Sequence, residues 1–140
     1  MVQNQKFAAA IDAGLAAAAT GRRGSLEGVI ALIRPVVACI REQLENGRTY
    51  LHELVFGDPA EPYRREGLAL SARLEDGIAR LLTRDERIDG RDAATLARVI
   101  TAIIHISTTA TVYLHRSDAA VLSDIREQVQ VTLSLHDKPA

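Results

Sequence analysis

The chain has 140 residues with 17 Lys and Arg against 18 Asp and Glu, a formal charge of −1 that offers no clustered basic face for duplex nucleic acid. Hydrophobic residues make up 47% and aromatics 4% with no Trp, so Leu, Ile, Val and Ala must fill the core of one domain spanning 1–140, a composition suited to close helix packing. The lone Cys39 excludes an internal disulfide.

In MVQNQKFAAAIDAGLAAAAT, Asp12 and Gly14 interrupt what would otherwise resemble the apolar run of a signal peptide. Phe7, Ile11 and Leu15 recur at helical spacing instead, which predicts an amphipathic first helix ended by Gly21 to Gly24. Ser25 stands as N-cap before LEGVIALIRPVVACIREQLENG, whose Leu26, Val29, Ile30, Ile33, Val37, Ile40 and Leu44 form one stripe. Pro35 lies inside it, so a kink or a split into two helices is expected. A short amphipathic piece, RTYLHELVF, stops at Gly57-Asp58-Pro59.

The segment EPYRREGLALSARLEDGIARLLTRDERI sets Leu70, Leu74, Ile78, Leu81 and Leu82 on one face, with Gly67 and Gly77 weakening the helix slightly. Asp89 to Asp92 form a turn, with Asp92 as the expected N-cap of the next helix. That helix, 92–115, is rich in β-branched residues and uncharged from Val99 to Leu114. It is too long and unbroken for a strand in a small domain, and its sixteen uncharged residues fall short of the ~20 that span a bilayer. No membrane association is expected, and a cytoplasmic location follows by default. A last helix over 118–136 buries Leu122, Ile125, Val129 and Leu133, with Val131 and Leu135 on a second line. The fold class is all-α, a bundle of about six helices.

Motifs for chemistry are absent. No Asp or Glu precedes a His by three, as a di-iron bundle requires, and His52, His105, His115 and His136 are too scattered for a local zinc pair. Phosphate-loop, dinucleotide and nucleophile-elbow patterns are missing. No cofactor, metal or catalytic residue is assigned. His105 can orient a ligand or titrate near neutrality, or it can be a hydrogen-bonded histidine at a helix contact. Thr101, Thr108, Thr109 and Thr111 can be satisfied by carbonyls of their own helix. A Pro35 kink opens space between helices, where apolar ligand sites form; the same side chains can equally fill the core.

The order of elements resembles the C-terminal domain of TetR-family transcriptional regulators. It runs from an amphipathic helix through an expected kinked pair at Pro35 and a short helix ending FGDP to a long Arg-rich helix ending LLTRDERIDG and two final apolar helices. The closest likeness is LEDGIARLLTRDERIDGRDAATLARVITAIIHI, similar to that family's junction into its penultimate helix. The resemblance implies that 92–115 and 118–136 pair with their mates in a second subunit, while the preceding helices enclose a small apolar or amphipathic effector. The family's N-terminal helix-turn-helix is not in this sequence, so DNA binding by this chain is not inherited.

The expected function is therefore a ligand-sensing and dimerising module, not an enzyme, that pairs with itself or with relatives. The alternative is a small helical enzyme or carrier using the same pocket. Expected pocket residues, read from the sequence itself, are Val36, Cys39, Tyr50, Phe56, Leu74 and Ile104. The expected homodimer interface includes Ser107, Ala110, Thr111, Val121, Leu122, Ile125 and Val129, because two such apolar helices are completed by the same two helices across a two-fold axis.

Overall fold

A computed structural model describes residues 2–21, 24–46, 62–110 and 116–134. Among these, all regular structure is helical, in five helices: α1 (Val2–Ala19), α2 (Ser25–Asn46), α3 (Pro62–Thr83), α4 (Gly90–Ala110) and α5 (Asp118–Ser134). The protein is all-α. The sixth expected helix, RTYLHELVF, lies outside the described residues.

α2 is the central element, packed against each of the other four helices. Around it α1 meets α3, α3 meets α4 and α4 meets α5. The sequence explains this placement. Among its described side chains α2 buries Val29, Ile30, Leu32, Ile33, Val36, Val37 and Ile40, and exposes a narrow edge of Glu27, Arg34, Ala38 and Glu42. That edge is bordered by ion pairs, Glu42 to Lys6 of α1 at 3.5 Å and Glu27 to Arg126 of α5. A helix apolar over most of its circumference belongs in the middle of a bundle.

The helix runs unbroken through Pro35, so the chain does not split there. Proline removes one hydrogen bond but does not end a helix that neighbours hold on several sides.

The helix starts differ from expectation in two places. Ser25 is already helical, and the Gly24 carbonyl accepts the first bond, from Gly28 N–H at 2.9 Å. The Ser25 hydroxyl instead donates to the Asp85 carboxylate at 2.8 Å, tying the start of α2 to the α3–α4 loop. At α4 the cap is Asp89, three residues before the expected Asp92. Its side chain accepts Arg91 N–H at 2.9 Å and its carbonyl accepts Ala93 N–H at 2.8 Å. α5 is capped by Ser117, whose hydroxyl accepts Ala120 N–H at 3.1 Å. α1 ends as its sequence predicts, with Gly21 at φ 73°.

Glycine also sets a close helix contact. A Cβ on Gly14 would lie 1.9 Å from the Leu32 carbonyl oxygen, so only glycine lets α1 and α2 approach this closely.

Candidate functional site

α4 divides cleanly into two faces. Ala93, Leu96, Ala97, Ile100, Thr101, Ile104 and Thr108 are buried. The hydroxyls of Thr101 and Thr108 donate to the carbonyls four residues back, at 2.7 and 2.6 Å, as the sequence predicts. These hydrogen bonds let two polar residues enter the core without a ligand. The opposite face carries Thr95, Val99, Ala102 and Ile106, all exposed. Val99 is 40% exposed and Ile106 69%, with Val131 of α5 at 60%. Arg98, the one charge between Asp92 and Ile106 apart from His105, turns aside to Glu75 of α3 at 3.3 Å. An exposed, uncharged row from Thr95 to Ile106 therefore runs along the outside of α4, and exposed Val131 of α5 adds to it, one turn after the exposed Glu127. Gln128 fixes the two helices side by side by donating to the Ser107 hydroxyl at 3.3 Å.

This strip is not the set of residues expected at a subunit contact. Val121, Ile125 and Val129 are each 0% exposed, closed into the chain's own core with Leu133. They have no surface left to offer a partner. The physical reason is that α5 has one continuous apolar line, at every fourth residue, and α2 and α4 cover it within the same chain. Leu122 and Ser107 are half-buried at the border. Thr111 and the side chain of Ala110 lie outside the described residues. Val99 and Ile106, which the sequence reading did not single out, were detectable. They stand seven residues apart, on the side of α4 opposite Ile100, Ile104 and Thr108.

The expected pocket residues come together only in part. Val36 of α2, Leu74 of α3 and Ile104 of α4 are fully buried members of one core. Cys39 is half-buried on the edge of α2, and its thiol pKa is raised by burial, with the Glu42 carboxylate adding to the effect. Tyr50 and Phe56 lie outside the described residues.

The α3–α4 seam adds two polar groups to this apolar wall. Ser71 sits one turn before Glu75 on the same flank of α3, and its hydroxyl is buried with no hydrogen-bond partner. His105 lies seven residues beyond Arg98 on the flank of α4 that faces α3. It is half-buried, and burial lowers its pKa from the ordinary 6.5.

At the opposite end of the bundle, two open grooves of about 160 and 340 Å³ meet at Ser25 and Asp85. The smaller is walled by Gly21, Gly28 and Leu81, the larger by Ile88, Gln130 and Leu133. Asp85 is already engaged there. Arg87 donates to both of its oxygens at 3.0 and 2.9 Å, which, with the Ser25 hydroxyl, holds the carboxyl well below the ordinary carboxylate range. This cluster closes the loop onto α2.

No group of three or more His, Cys, Asp or Glu among the described residues is arranged to hold a metal ion. No described helix is long and apolar enough to cross a membrane.

Compared with protein-family models, curated proteins and solved structures, the chain matches none. Its class rests on its own architecture: an all-α bundle about a central helix, with an apolar strip facing outward from its last two helices.

Proposed function

We propose that this chain is a ligand-sensing and dimerising module of the kind carried by TetR-type regulators, and that two copies pair through the outward faces of α4 and α5. The observation that carries the reading is the set of exposed apolar side chains Val99 and Ile106 on α4 and Val131 on α5, with Asp92 and Glu127 at its margins. Apolar side chains aligned on one face are stabilised when covered, and a second copy offers the same strip across a two-fold axis. Arg98, beside Val99, pairs with Glu75 on the α3 side, which leaves Val99 and Ile106 themselves free of an adjoining unpaired charge.

The effector half of the reading draws on the order of the helices and on the α3–α4 seam. An apolar wall with a few polar groups is the usual lining for a small amphipathic ligand. Leu74 and Ile104 are closed into the core, so a ligand would reach them only by parting α3 from α4, with Ser71 and His105 as the polar groups beside it. The effector is small and apolar with a hydrogen-bonding end.

Light scattering at micromolar concentration tests the pairing, and a monomer there refutes it. Thermal-shift screening against amphipathic compounds, with product analysis of every hit, tests the sensing. A sensor binds its ligand unchanged, so turnover of a hit would favour the enzyme reading instead.

A further inference from the structure

Arg41 is the one buried charged side chain among the described residues, at 6% exposure, and it occupies the apolar side of α2 beside Val37 and Ile40. Its Nε donates to the Asp118 carboxylate at 2.5 Å, and its Nη2 donates to the Arg116 carbonyl. Both acceptors lie more than seventy residues away, at the corner formed by residues 116–118 at the start of α5. Asp118 is the first residue of α5, directly after its cap Ser117. Arg116 grips the other side of the same corner, its guanidinium donating to Asp124 further along α5. The corner is thus held from α2 and from α5 at once.

An apolar side chain at this position would fill the space without fixing a direction. A planar guanidinium with two acceptors fixes both the distance and the angle of what it holds. We propose that Arg41 is the positioning residue that seats the α4–α5 corner on α2, and through that seating aligns the outward strip of Val99, Ile106 and Val131. The first part stands on the contacts alone; the second rests on the pairing reading above. The start of α5 is set by Arg41, its middle by the Gln128–Ser107 bond, and Val131 lies just beyond that bond. The two anchors together set how α5 lies along α4 and so where Val131 stands, and loss of the one at the corner leaves that placement to the exposed Gln128–Ser107 bond alone.

The test uses the full chain as wild type, Arg41→Met, Arg41→Lys and Asp118→Asn. Hydrogen exchange is followed by mass spectrometry, and the dimer dissociation constant by sedimentation. Amides in the first turn of α5 should exchange roughly tenfold faster in all three variants, with α1 and α3 unchanged. The dimer dissociation constant should rise roughly tenfold. Lysine keeps the charge but cannot present a fork to both acceptors, so wild-type exchange in Arg41→Lys would overturn the proposal. Wild-type exchange in Arg41→Met and Asp118→Asn would do the same. Should Arg41→Met fail to fold, Asp118→Asn decides the matter, because the Asp118 side chain is 54% exposed and tolerates the change. A monomeric wild type removes the pairing reading, and exchange at α5 still decides the seating. A dimer whose variants loosen the corner yet dissociate like wild type overturns the second part alone.

Discussion

His105 shows how one side chain can carry a pH response. Its pKa is lowered from 6.5 by burial between helices, so the native state favours the neutral imidazole. As pH falls, the unfolded chain takes up a proton at this site before the native chain does. The stability tied to His105 is therefore complete above pH 6.5 and declines as pH drops through 6.5 towards the lowered native value, where it levels. The slope is bounded by one proton, about 1.4 kcal/mol per pH unit. Urea unfolding of wild type and His105→Gln between pH 8 and pH 5, about 1.5 units either side of the ordinary pKa, should show a shallower decline in the variant. Parallel curves would mean that the imidazole is no less solvated in the native chain than in the unfolded one.

Helix against helix, Gly14 is the most sensitive position. As a helix residue, glycine is about 1 kcal/mol worse than alanine, so Gly14→Ala would stabilise a free helix. Here the added Cβ would meet the Leu32 carbonyl oxygen at 1.9 Å and its carbon at 2.9 Å, backbone atoms that cannot turn away. α1 must move off α2, and the expected result is a net loss of roughly 1–3 kcal/mol in denaturant unfolding. An unchanged or higher midpoint would show that the two helices can separate at little cost. Gly77 follows the same logic more mildly, because its added Cβ would meet the flexible end of the Leu15 side chain at 2.8 Å. In the sequence Gly14 reads only as a break in an apolar run, and Gly77 only as a weak spot in a helix. Period and punctuation made the five described helices legible, since the middle of each main stripe became a buried face, with Leu15, Leu26, Leu70 and Leu122 half-buried at its margins. Close approach was not legible, because it depends on which helix lies opposite. The caps slipped for a related reason. Asp89 and Asp92 are both good cap residues, and Ser25 had a stronger acceptor in Asp85 on a distant loop. Arg41 stands at the fourth residue after Val37, on the line of the apolar stripe, and its burial depends on acceptors more than seventy residues away.

For the whole molecule, the question is which surface two copies would share. The sequence shows that the last two helices carry more apolar residues than one face can bury, but not which of them the chain covers itself. The structure separates the two sets. Val129 is closed into the core at 0% exposure, while Ile106 stands out at 69%. A glutamate at each position is therefore expected to act differently. Val129→Glu places an unpaired charge in the interior, which costs about 3–5 kcal/mol and should reduce helix content or lower the melting temperature sharply. Ile106→Glu places the same charge on a surface that is solvated in the single chain, where substitutions usually change stability by only about 0.5 kcal/mol. In the pair, that carboxylate would be trapped in the apolar strip, and by symmetry it would face the partner's copy nearby. A loss of about 3 kcal/mol raises the dimer dissociation constant more than a hundredfold. Circular dichroism and sedimentation on the two variants then give opposite results, with Ile106→Glu a folded monomer and Val129→Glu a destabilised chain at any concentration. A folded dimer of Ile106→Glu would move the contact off the strip, and a folded, dissociated Val129→Glu would put the interior line of α5 back at the interface.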